Sequence, residues 1–397
     1  MKKCVLGDVA DVKVSGVDKK TNEGEIPVRL CNYTDVYYNW AVTSEKYDGL
    51  MRASAKPDEI SKFKIKKGQV ALTKDSETRD DIGIPTYIAD DFDDVLLGYH
   101  CALISPDAKE LSGKYLNALL RTKYVKDFFA NNAGGSGQRY YLSDSSIKEL
   151  PLFLPDITVQ KKIGTFLSTI DRKIALNRKR IATLEAMAKE IYDYWFVQFD
   201  FPDAHGRPYK SSGGAMVYNP DLKREIPKGW EVKALGELMT VCNGKDHKAL
   251  ADGDIPVYGS GGIMRHVNQK QYEGESVLIP RKGSLNNIMY ANGPLWCIDT
   301  MFYTKAKVFN VMKYIFMTIK DWDFASMDSG SAVPSMTAGL INQLTIVFPE
   351  RQFLGAFENQ VSPLFSRRFS LEKEVAGLSS LRDFLLPLLM NGQVKVG

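Results

Sequence analysis

LPLFLPDITVQKKIGTFL, beginning at Leu150, and LTIVFPERQFLGAFENQV, beginning at Leu344, read alike: a short apolar run, a proline, then helix-forming sequence. Pro155 and Pro349 stand 194 residues apart. A proline there ends a strand and opens a helix with its φ already set. The same offset carries down both helices. In the first, Ile163, Leu167, Ile170, Ile174, Ile181, Leu184, Ala188, Ile191 and Trp195 recur at steps of four and three, and Asn177 fills the one gap. This is a heptad seam of about five heptads. Adding the offset gives Phe357, Val361, Leu364, Leu371, Val375, Leu378, Leu385 and Leu389, with Arg368 and Arg382 as interruptions and Leu371 in the place of Asn177. Such seams are expected to bury on each other, as a rod of about 50 Å at ~1.5 Å per residue. Asn177 would cost stability and fix register. Pro363 predicts a kink or a late start in the second helix.

The front halves also match. Leu6-Gly7-Asp8-Val9 pairs with Leu235-Gly236-Glu237-Leu238, and IPVRLCNY at Ile26 with IPVYGSGG at Ile255, at an offset of 229. The first copy is therefore 35 residues longer within its body. The bodies read as α+β. Strand-forming runs are QVALT at Gln69, TYIA at Thr86 and LLGYHCALIS at Leu96, then SVLIP at Ser276, NIMYA at Asn287 and CIDTMFYTK at Cys297. Helices are expected from Tyr115 to about Ala130, with Ser112 as N-cap, and from Val311 to about Asp321. The resulting division is a first domain over 1–155, a long helix over 156–197, a Gly/Pro/Ser-rich linker over 198–232, a second domain over 233–349 and a second long helix over 350–392.

Length and composition agree with two soluble globular domains: 397 residues, 44% apolar and 25% charged. No run of about 18 uncharged apolar residues predicts a membrane span, and the first eight residues lack a signal-like apolar core. The five cysteines (Cys4, Cys31, Cys101, Cys242, Cys297) form no C-x-x-C pair. A cytoplasmic protein without disulfides, zinc or another cofactor of its own is the expectation. Residues 1–150 hold 22 Lys+Arg against 23 Asp+Glu, a net of −1, which leaves +5 of the total +4 for the rest. That balance excludes a uniformly basic DNA coater and restricts DNA binding to local patches.

Several strings resemble the specificity subunits of Type I restriction–modification systems: WFVQFDFPDAHGRPYKSSGGAMVYNPDLKREIPKGWE from Trp195, IDRKIALNRKRIATLEAMAKEIYDYWF from Ile170, and VLIPRKGSLNNI from Val277. The resemblance covers nearly the whole chain. It implies an α+β fold in which two target-recognition domains are separated by a long antiparallel two-helix coiled coil. Each domain would read half of a split site in double-stranded DNA, and the helix length would set the unread spacer. It also implies docking of two DNA methyltransferase subunits, which bind S-adenosylmethionine and methylate adenine, and of motor-nuclease subunits, which use ATP. The chain itself would have no catalytic residue, no metal and no contact with a membrane.

Base reading needs donors and acceptors that reach groove edges; phosphate contacts need cations, hydroxyls and backbone N–H groups. In the first domain GGSGQRYYLS at Gly134 offers Ser136, Gln138, Arg139 and Tyr140, or alternatively a turn whose tyrosines pack on the core. Lys74 and Arg79 lie in a polar loop, but Asp75, Glu77, Asp80 and Asp81 favour a salt-bridged surface there. In the second domain the candidates are Lys245, His247 and Lys248; Ser260, Arg265 and His266; Arg281, Lys282, Ser284, Asn286 and Asn287; and Ser331, in the place of the first copy's glycine-rich loop.

Pro220-Asp221 with Glu231-Val232-Lys233 has the spacing of a PD…ExK nuclease, but the pattern is short and the first repeat lacks it. Neither a G-x-x-x-x-G-K-[ST] loop nor an N/D-P-P-Y/F motif occurs. The rival from another class is a coiled-coil assembly scaffold whose globular ends bind proteins.

Overall fold

The computed structural model describes residues 1–327 and 335–396. The chain divides into two compact units, Met1–Arg180 with Leu371–Gly397, and Ile181–Ser370. Both are mixed α/β and share one frame. In the first, strand Lys2–Val5 pairs antiparallel with Pro151–Leu154, and Leu6 N–H donates to Leu150 O at 2.9 Å. In the second, Glu231–Ala234 pairs with Thr345–Phe348, and Leu235 N–H donates to Leu344 O at 2.8 Å. The short helices that follow, Leu6–Val9 and Leu235–Leu238, are each braced by their acid: Asp8 accepts from Val5 N–H and Glu237 from Ala234 N–H.

Each body is a mostly antiparallel sheet. In the first unit the order is Ala10–Val14, Cys101–Pro106, Val70–Thr73, Pro85–Ile88 and Ala41–Val42, and a second sheet has the order Met51–Ala55, Ile26–Cys31 and Val95–Leu97. In the second unit six strands run in the order Met239–Asn243, Met301–Ala306, Tyr272–Pro280, Met289–Cys297, Asp252–Gly259 and Gly262–Val267. The single helix expected from Tyr115 to Ala130 is two, Gly113–Leu119 and Lys123–Asn132. Thr122 begins the second by accepting from Val125 N–H, a cap that competes with continued helix. Ser112 stands at the N-cap of the first, but its side chain makes no capping bond.

Residues 198–232, read from composition as a linker, enter the second core: Phe199, Phe201, Ile226 and Trp230 are buried. Phe201 stacks on Trp230 with centroids 4.9 Å apart. Four glycines, four prolines and two serines give the stretch a loop-like composition that hides these four apolar anchors.

The two long helices are α1, Ile157–Tyr192, and α2, Arg351–Met390. There is no late start: α2 runs through Pro363, whose side is exposed, so water can satisfy the carbonyl it frees. Within the first unit α1 and α2 run antiparallel, with Asp171 bonded to Arg382 at 2.9 Å and Lys173 to Glu374 at 3.3 Å. Within the second unit Glu185 pairs with Arg368 at 3.1 Å. The two arginines that break the sequence seam are thus interhelical ion pairs. Ile163, Leu167, Ile170, Ile174, Val361 and Leu371 are buried, while Ile181, Leu184, Leu364, Val375 and Leu378 are half-buried. Asn177 is wholly buried, and neither amide atom has a partner among the described residues. Phe365, one step off the expected seam, is buried against Tyr290 of the second core at 5.0 Å.

Candidate nucleic-acid interface

In the second unit, loops far apart in sequence are bonded to one turn, residues 297–300. Lys245 N–H donates to Cys297 O (2.8 Å), Ile298 N–H to Tyr258 O (3.1 Å), and Arg281 N–H to Thr300 O (2.8 Å). The Trp296 indole donates to Lys245 O (3.0 Å), and the Asn287 amide to Ser260 O (2.8 Å). Lys282 bridges Ser335, and Met336 N–H donates to Arg281 O (3.0 Å). The exposed side chains of Lys245, Arg281, Lys282 and Ser284 are therefore presented together with Ser260. Lys248 and His266 are also exposed.

Other candidates are occupied in holding these loops. Arg265 donates to Asp252 (2.7 Å) and Leu250 O (3.0 Å). Asn286 donates to Asp323 (2.9 Å) and accepts from Ala325 N–H (3.0 Å). His247 is half-buried, and its Nδ1 has no partner among the described residues. The backbone N–H groups of Lys248 and His247 hold the Asp246 carboxyl below its usual range. Ser331 lies outside the described residues.

The first unit builds the same hub at residues 97–101. Ser15 N–H donates to Cys101 O (2.9 Å), Gly98 N–H to Cys31 O (2.9 Å), and Lys74 N–H to His100 O (2.9 Å). Leu142 N–H donates to Lys74 O (2.7 Å), as Met336 does to Arg281. Lys74 accordingly stands where Arg281 stands, and Asp75 where Lys282 does. The glycine-rich loop is a hairpin, Gly134–Ser136 with Arg139–Tyr141, that adds to Asp75–Ser76 as one three-stranded sheet. This joins the two first-domain candidate loops. Ser136, Gln138 and Arg139 are exposed. Tyr140 packs partly on the core, and Arg79 lies over its ring at 5.1 Å.

Lys74 is not free there: its ammonium meets Asp75 at 3.0 Å, and His100 Nδ1 bonds the same carboxylate. Burial pushes the Asp75 carboxyl up, but the bonds from His100 and Lys74 outweigh it and leave the group below its usual range. Sequence reasoning missed His100, Ser15 and both hub turns. The one available signal was the break in LLGYHCALIS at Gly98 and at His100, whose φ of 70° is left-handed.

Among the described residues no group of three His, Cys, Asp or Glu is placed to hold a metal, and no helix is long and apolar enough to cross a membrane. A family model described as the Type I restriction modification DNA specificity domain matches residues 1–186 and 227–352. The chain is 27% identical over 319 residues to the Type I restriction enzyme MjaIX specificity subunit of Methanocaldococcus jannaschii, covering 71% of this chain and 69% of that one. It is 22% identical to the HindI specificity subunit of Haemophilus influenzae, covering 84% and 88%. The fold resembles the crystal structure of the Type I restriction–modification S subunit from M. genitalium, with TM-score 0.63, 18% identity, and coverage of 98% and 95%.

Proposed function

This chain belongs to the Type I restriction modification DNA specificity domain family, and from that premise we propose that it is the sequence-reading subunit of a Type I restriction–modification complex. Each unit reads one half of a split target in double-stranded DNA, and the length of α1 and α2 sets the unread spacer. The observation that carries this is the doubled hub: two copies of one frame each gather loops from three sequence regions. Exposed cations at such a hub suit phosphates, and hydroxyl and amide groups suit base edges. The chain has no catalytic residue in this reading. Methyltransferase subunits, two of them docked on the helices, hold S-adenosylmethionine and methylate adenine. Motor-nuclease subunits use ATP, and the complex works in the cytoplasm, where its DNA lies.

The test is a map of modified bases in the host genome, with and without this gene. Methylated adenine at one split motif should vanish on deletion. A map that stays unchanged, in cells where the partner methyltransferase is made, overturns the reading and favours a protein-assembly scaffold.

A further inference from the structure

The β-hairpin of Asp252–Gly259 and Gly262–Val267 ends in a feature that the reading above does not use. Ile263 and Met264 are 55% and 58% exposed. The register shifts by one residue between Val257 and Tyr258, which leaves Met264 as the extra residue of a bulge. Its side chain lies over Gly259, where an added Cβ would meet the sulfur at 2.6 Å, while Ile263 faces Tyr258, so the two occupy opposite faces of the ribbon. A ribbon lying flat on a partner covers one face; only a tip that enters its partner covers both. The tip is narrow. Tyr258 faces Ile263 and Gly259 faces Gly262 in the register. A Cβ added at Gly261 or Gly262 would meet nothing within 4 Å, and Gly262 turns the chain at a φ of +118°.

The tip is also held in place. Ser260 O accepts from the Asn287 amide at 2.8 Å, and Tyr258 O accepts from Ile298 N–H at 3.1 Å, so the hairpin is fixed to the hub turn and to the 281–287 loop. Arg281 and Lys282 on that loop are exposed, and so is Lys245 across the same turn. Of the nearby acids, Asp252 is neutralised by Arg265, while Asp299 and Asp254 are exposed. An apolar tip beside exposed cations fits a partner with an anionic rim and an apolar interior, which describes the phosphate edges and stacked bases of a duplex. Apolar side chains of this kind enter base steps and unstack them in many DNA-binding proteins.

We propose that Ile263 and Met264 form a wedge that enters the second half-site end-on and separates two stacked base pairs, so that part of the target is selected by how easily that step opens. In the first unit the corresponding connection, residues 32–50, is longer and carries Tyr38 at 75% exposure. Tyr37 beside it bonds Asp81, and the connection carries Asp35, Glu45 and Asp48 against Lys46 alone, so the wedge is assigned to the second unit alone.

The proposal rests on the DNA-reading function, and the test separates the two. The complex with its methyltransferase partner is bound to target duplexes carrying 2-aminopurine at successive positions of the second half-site, and to duplexes with one mismatched pair at each step. The wild-type complex should raise 2-aminopurine fluorescence at one step and bind the duplex mismatched there several-fold more tightly. The Ile263→Ser, Met264→Ser double variant should lose the rise, bind the intact duplex about tenfold more weakly, and recover most of that loss on the mismatched duplex. Neither side chain is buried, so folding should survive; the Ile263→Leu variant, which keeps an apolar tip, should keep the signal. Equal binding and an equal rise for the double variant overturn the wedge. Weaker binding with the rise intact also overturns it, in favour of surface contact with the bases. Loss of assembly with the methyltransferase, in both the double variant and Ile263→Leu, overturns it in favour of a protein partner. If the wild-type complex binds no specific duplex, the DNA-reading function fails first and the wedge with it.

Discussion

Where the first domain meets its long helix, the contact is made by the absence of a side chain. A Cβ at Gly164 of α1 would lie 2.6 Å from Tyr115 N, so α1 and helix Gly113–Leu119 touch backbone to backbone. The matching position of α2, 194 residues on, is Glu358. It pairs with Lys313 at 2.5 Å on helix Met312–Ile319, and Lys313 stands before Tyr314 as Lys114 stands before Tyr115. Lys313 is 3% exposed, and it also bonds Glu275, which accepts from the Tyr290 hydroxyl at 2.7 Å. One frame thus fixes its helix by close packing in one copy and by an ion network around a buried lysine in the other. The hubs diverge in the same way, with Asp75 in one where Lys282 stands in the other. The frame constrains where backbones meet, and leaves the chemistry at the meeting point free to differ.

The largest effect is expected at Lys313. Lys313→Met should cost the second unit about 3 kcal/mol, because two half-buried carboxylates, Glu275 and Glu358, lose their cation. Equilibrium urea unfolding measures it. Adding Glu358→Leu should return much of the loss, and a single variant of wild-type stability would show that the network holds nothing. Gly164→Ala comes next. In an exposed helix Ala would stabilise by up to about 1 kcal/mol; here the Cβ meets backbone, and a loss of about 1–3 kcal/mol is expected in the first unit. A stabilised Gly164→Ala protein would mean that the two helices can part without cost.

The smallest effect is at the hub. Asp75→Asn should cost about 1 kcal/mol, since the amide keeps one acceptor for Lys74 and His100 but loses the charge. The sign with pH follows from the lowered folded value. Against the ordinary 3.8 of the unfolded carboxyl, the folded group holds its proton less tightly. Its contribution is complete above 3.8 and is lost as pH falls through the folded value. Thermal melts between pH 6 and pH 3 should therefore show the gap between Asp75→Asn and wild type closing at the acid end. A gap that widened there would reverse the assignment.

Much of the fold was legible because it is periodic. The seam of Ile163, Leu167, Ile170 and Ile174 names the buried face of α1, and the Pro155/Pro349 pair marks where each strand gives way to helix. Less of the interface was legible. Arg265, Asn286 and Asn287 have the composition of base readers, yet each is taken up in bracing a loop. The acids beside Lys74 favoured a salt-bridged loop, and Asp75 does hold its ammonium; what the sequence did not show is His100 on the same carboxylate. Residue type tells what a side chain can bond to, and only its neighbours tell what it has already bonded.

The repeat, its two offsets of 194 and 229, the strand–proline–helix junctions and the length of both helices can be read along the chain, because each is set by local pattern in one stretch. The tertiary structure alone decided that Lys245, Tyr258 and Arg281 share one turn, that Phe199, Phe201 and Trp230 belong to a core, and that Arg368 and Arg382 cross to acids on α1. Those outcomes depend on backbone hydrogen bonds and burial between residues tens to hundreds of positions apart, and no periodicity in the chain encodes which distant groups will meet.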